Sequence, residues 1–124
     1  MSTSENIRSI GHVKVVPLTT IVERQQVWSR MAAKYGVDNP LPPWKSSLDG
    51  ICDALDRSGC GPETLSFVDR RNEEDTLSAT VYSNLPYPEN QLVSLAHSLV
   101  ARGVIDETEL QERLASIRAR LQAR

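Results

Sequence analysis

Between Val100 and Leu114 the chain reads VARGVIDETELQERL, a stretch that restricts the possible folds more than any other. Gly103 closes an apolar-periodic run and fits the left-handed cap that ends a helix. Three residues on, Asp106 stands as an N-cap, Glu109 completes a capping box, and Ile105 and Leu110 are spaced for a hydrophobic staple. A helix stop and a helix start this close together turn the chain back on itself, which predicts a C-terminal antiparallel helical hairpin. Pro88 and Glu89 open the first arm, whose stripe is Leu92, Leu95, Ala96 and Leu99. In the second arm Leu110, Leu114, Ile117 and Leu121 recur at spacings of four, three and four, a seam wide enough for one facing helix. Glu107, Glu109 and Glu112 precede Arg118, Arg120 and Arg124, an order that complements the helix dipole. Those arginines therefore need no nucleic acid to explain them.

The rest of the chain also reads as helical. Residues 1–18 alternate weakly and end at IGHVKVVPL, with no sister strand elsewhere, so an extended N-terminal arm is expected there. Residues 19–124 are expected to form a single helical domain. Thr20 and Glu23 have capping-box spacing, and Ile21, Trp28, Met31, Ala32 and Tyr35 share one face before Gly36, predicting a first helix. GVDNPLPPW is a loop because three prolines interrupt it, with Trp44 as its anchor. A second helix is expected over residues 47–57, on Leu48, Ile51, Cys52 and Leu55, with Gly59 past its end. Pro62, Glu63, Leu65 and Val68 predict a third, reaching about Glu73, whose charged half DRRNEED reads as a solvated face. TLSATVYSNLPYP reads as a connector. The expected class is all-α, with about five helices.

Composition limits what such a bundle can do. Of 124 residues 40% are apolar and a single one is Phe, a thin core that makes a partner surface expected. A formal charge of −2 offers no pull toward nucleic acid or anionic lipid. No run approaches the roughly 18 apolar residues that span a bilayer, and MSTSENIRSIGH lacks the basic and apolar regions of a signal peptide. The cytoplasm is the expected compartment.

Catalytic motifs are missing. Cys52 and Cys60 are spaced C-x7-C, which fits neither a zinc pair nor a redox C-x-x-C. His12 and His97 have no carboxylate or thiol at local ligand spacing and read as satisfied surface or boundary residues. H-E-x-x-H, a glycine-rich phosphate loop and G-x-S-x-G are all absent. The residues thus point away from an enzyme acting alone.

The segment TVYSNLPYPENQLVSLAHSLVARGVIDETELQERLASIRARL resembles the helical part of the β-type subunits of nitrile hydratases and of the related thiocyanate hydrolase. The features that carry the likeness are Pro86 and Tyr87, then Gly103, then Asp106, Glu109 and Leu110, closing on Arg118 and Arg120. A fainter likeness runs through the first helix around Trp28.

The resemblance implies a subunit of a hetero-oligomeric lyase that hydrates a nitrile to an amide and is inactive alone. The metal, cobalt(III) or iron(III), would sit on a partner α-type subunit in a C-x-x-C-S-C motif that this chain lacks; no cofactor is expected on this chain. Family β-type subunits also lend arginines to the oxidised cysteine ligands of that metal, one of them from the helix before the T-V-Y connector. Here Arg70 and Arg71 stand in that place, with Arg70 the first candidate. Two-subunit enzymes carry a β-barrel half on the β chain, whereas this sequence covers the helical part. That layout fits the toyocamycin-type three-subunit nitrile hydratases and thiocyanate hydrolase, with the barrel on a separate polypeptide. It also fits the small activators that deliver metal, and an unrelated helical interaction module is the third alternative.

Overall fold

The computed structural model describes residues 11, 13–25, 27–58 and 67–123. Among them are six helices and no strand: α1 (Val16–Arg24), α2 (Trp28–Tyr35), α3 (Lys45–Ser58), α4 (Phe67–Ala79), α5 (Glu89–Ala101) and α6 (Glu107–Gln122). The all-α expectation holds. None of these helices is long and apolar enough to cross a membrane. Most of the expected arm, His12, Gly59, Cys60, the Pro62–Leu65 start of the third helix and Arg124 lie outside the described residues. At the arm's end, however, Val16, Pro17 and Leu18 already belong to α1, because Pro17 presets the φ of a first helical turn.

The first expected helix is delivered as two. Gln25 adopts a left-handed φ of 50° and ends α1, a conformation that costs a non-glycine residue about 1 kcal/mol or more. Thr20 is no cap. It lies inside α1 with its hydroxyl donating to the Val16 carbonyl. Carboxylates from far along the chain instead take the starting amides of both short helices: Glu107 accepts from Val16 N–H at 3.0 Å and Glu89 accepts from Trp28 N–H at 3.0 Å. Each negative charge thus meets a helix N-terminus. Gly36 (φ 67°) stops α2 as expected, and the Trp28 indole N–H donates to the Asn39 carbonyl at 2.8 Å, pinning the proline loop.

α5 is the central helix, packed chiefly against α4. Its Val93 joins Val15, Leu18, Val27, Leu77, Tyr82 and Leu85 in one apolar cluster, while Leu95 and Leu99 join Leu48 in a second. Trp44 and Ile105 pack onto the second cluster. Each such side chain taken fully from water contributes about 1.5–3 kcal/mol. Leu92, expected on the apolar stripe, is exposed; the inward face carries Ser94, His97 and Ser98 instead. His97 is therefore a core residue and not a boundary one: Tyr82 Oη stands 2.7 Å from its Nδ1, which removes the cost of burying the ring.

The charged third helix departs most from expectation. α4 continues through TLSA to Ala79, and its DRRNEED segment is only in part a solvated face: Arg71, Asn72 and Asp75 are exposed, but Arg70, Glu73 and Glu74 are buried. Burial is tolerated because each has an opposite charge: Arg70 pairs with Glu74 and Asp56, and Glu73 with Arg102.

The turn at Gly103 (φ 77°) and the Asp106 cap, whose carboxylate accepts from Glu109 N–H at 2.9 Å, are as the sequence indicates. No residue of α6 is buried. Its start meets α1, whereas its apolar seam runs on into solvent with Ile117 and Leu121 exposed; no facing helix covers that end among the described residues.

Candidate functional site

A cavity of about 470 Å³ opens where α3, α4 and the start of α5 converge. α3 supplies one polar face, Lys45, Asp49, Cys52, Asp53 and Asp56, at helical spacing. α4 supplies Arg70, Arg71, Glu74 and Asp75, and Tyr87 and Gln91 close the third side. Tyr87, half of the Pro-Tyr dipeptide, thus falls at the mouth.

Both sequence-designated arginines line this cavity, in different states. Arg70 is buried, with one terminal nitrogen donating to Glu74 and the other to Asp56. It braces α4 against α3. Burial pushes the Glu74 carboxyl above its usual range, with Arg70 opposing that rise. Arg71, the next residue round the helix, is exposed at the rim.

Sequence reasoning missed Arg70's partners, although Arg70 and Glu74 have the i, i+4 spacing of a helical ion pair. It also missed Lys45, which bonds Asp49 and lies 5.4 Å from the centre of the Tyr87 ring. The Asp49 bond, then the one with Tyr87, raises the lysine's pKa and keeps it a cation.

Cys52 is half-buried, and burial, followed by the Glu74 charge, pushes its thiol upward. A protonated thiol is a poor nucleophile and a poor metal ligand. Among the described residues no group of His, Cys, Asp and Glu could hold a metal ion. The cavity carboxylates Asp49, Asp53, Asp56, Glu74 and Asp75 outnumber the cations Lys45, Arg70 and Arg71. The arrangement offers charged hydrogen-bonding groups, with the Arg71 guanidinium exposed at its edge.

The sequence matches the family model described as nitrile hydratase beta subunit, N-terminal, over residues 26–124. No curated protein and no solved structure matches the chain.

Proposed function

The chain belongs to the family of nitrile hydratase β-subunit N-terminal domains, and from that premise we propose that it is the non-metal-binding β-type subunit of a hetero-oligomeric nitrile hydratase. Its partner would be an α-type chain holding cobalt(III) or iron(III) in a C-x-x-C-S-C motif, with the barrel portion on a separate polypeptide, as in the three-subunit layout. The chemistry that metal supplies is polarisation of a nitrile or activation of water. This chain's contribution is to wall the cleft and to donate hydrogen bonds to the oxidised cysteine oxygens.

The observation that carries this reading is the exposure of Arg71 at the rim of a charged cavity, beside an Arg70 already held by two carboxylates. Both terminal nitrogens of Arg70 are engaged by Glu74 and Asp56 and its side chain is buried, so an acceptor on a partner would have to enter the cavity to meet its remaining N–H donors. Arg71, on the exposed side of the same helix, can be met at the surface. A guanidinium offers two parallel donors to a sulfinate or sulfenate, which the lysine ammonium cannot imitate. Arg71 therefore takes the donor role and Arg70 the role of holding the helix that presents it.

The test is co-expression of this chain with a C-x-x-C-S-C α-type chain and a barrel chain, followed by purification and assay of nitrile hydration. A stoichiometric complex that loses activity when this chain is omitted is the expected result. A fully active metal chain from which this chain has been released after loading would make it an activator and overturn the reading.

A further inference from the structure

We propose that the second half of α3, from Ile51 to Arg57, is a flap over the cavity, latched to α4 by the Asp56–Arg70 ion pair and opening at Gly50. The inference concerns the packing of this chain alone and stands whether or not Arg71 serves a metal centre.

The two halves of α3 are held differently. Before Gly50, Leu48 is buried with Leu95 and Leu99, Trp44 packs on the same cluster, and Lys45 is buried with its ammonium 5.4 Å from the centre of the Tyr87 ring. From Ile51 to Arg57 no side chain is buried: Cys52 and Leu55 are half-covered and the rest are exposed. Among the described helices the closely packed faces are α4 on α5, α1 on α5 and α1 on α6, and α3 belongs to none of them. Where its second half would meet α4 lies the cavity of about 470 Å³. A helix end that roofs a cavity and buries so little opens locally at low cost.

Charge makes Asp56 the latch. The cavity side of α3 carries Asp49, Asp53 and Asp56, and α4 faces it with Glu74 and Asp75, so carboxylate looks at carboxylate. Asp49 is taken by Lys45 and Asp53 by Arg57, both from within α3. Asp56 instead reaches across to α4 through Arg70. Gly50 supplies the hinge. A Cβ at that position would meet nothing within 4 Å, so no close approach requires glycine there, and what it brings is a weak point in the helix.

Opening leaves α4 in place, because the Glu73–Arg102 pair and the Ser78–Ser94 hydroxyl contact at 2.9 Å hold it to α5. It frees the Arg70 nitrogen that Asp56 occupies and turns the cavity to solvent. It also uncovers the Cys52 thiol, which in the closed form lies 4.0 Å from Gln91 Nε2. Arg71 is exposed with the flap closed, so the device governs the interior of the cavity and not its rim.

Alkylation of Cys52 by a bulky maleimide, in the full chain carrying Cys60→Ser, reads the opening. The expected rate depends on urea much less steeply than global unfolding does, the mark of a local opening. Asp56→Asn is expected to raise it roughly tenfold, by removing a charge-assisted bond. Gly50→Ala, which fits without a clash, is expected to lower it roughly threefold by stiffening the helix. Asp53→Asn removes the same charge from the same face without touching the latch, and is expected to leave the rate at the parent's. Alkylation that follows global unfolding in urea would overturn the proposal. So would a Gly50→Ala rate at or above the parent's, an Asp56→Asn rate equal to the parent's, or equal acceleration by Asp53→Asn and Asp56→Asn; the Gly50→Ala arm decides the matter even if Asp56→Asn fails to fold.

Discussion

Arg102, one residue past the end of α5, closes on the carboxylate of Glu73 in α4, which is completely shielded from solvent. The arginine Nε donates to Oε1 at 3.2 Å, a terminal nitrogen donates to Oε2, and the Ser98 hydroxyl also donates to Oε1. This pair joins the two helices that pack most closely. Removing one partner leaves a buried charge without compensation, so Arg102→Ala is expected to lower stability by about 3–5 kcal/mol. Replacing both residues by Leu and Met is expected to cost much less, since neither charge is then left behind. Urea denaturation of the two single variants and the double reads the difference as a coupling energy; additive losses would refute it.

Tyr82 gives the fold an alkaline limit. Burial pushes its phenol up to about 12, so the hydroxyl stays protonated in its hydrogen bond with His97 Nδ1. A folded-state pKa above the unfolded value of about 10 means the folded form holds the proton more tightly. Stability from this group is complete below about pH 10 and is lost as pH rises toward 12, by up to about 2–3 kcal/mol. Tyr82→Phe is expected to cost about 1–2 kcal/mol near neutrality, through the lost hydrogen bond to the buried ring, and to flatten this part of the profile. Unfolding midpoints of both proteins between pH 8 and 12 check the sign.

Adjacent arginines are expected to behave as opposites in stability. Arg70→Ala strips Asp56 and Glu74 of their shared partner and is expected to destabilise by about 3–5 kcal/mol. Arg71→Ala, at an exposed position, is expected to stay within about 0.5 kcal/mol of the parent. Thermal or urea unfolding of the isolated chain measures both.

At the start of α6, Asp106→Ala removes the acceptor of the Glu109 amide. A loss of about 1 kcal/mol is expected, concentrated in faster amide exchange over the first turn of that helix.

The parts of the fold legible in the sequence were those fixed by local chemistry. Gly36 and Gly103 sit in the left-handed region that glycine favours, and Asp106 caps the helix it precedes. The break after α1 was hidden because Gln25 is no habitual breaker; the Glu107 and Glu89 carboxylates that hold the two starts come from 91 and 61 residues away. DRRNEED read as solvated because its charges are neutralised by Asp56, from the preceding helix, and by Arg102, at the end of the following one. The neighbourhood of Arg70 and Arg71 could be picked out through the family likeness. Which of the two stands exposed depends on tertiary pairing that no local pattern records.

The most direct measurement is the rate of nitrile hydration by the assembled enzyme carrying Arg71→Lys, alongside the proportion of chain found in the complex. The account predicts that the complex forms as before while turnover falls roughly ten- to hundredfold, because an ammonium keeps the charge but not the fork. Turnover equal to that of the parent, in an intact complex, would contradict it.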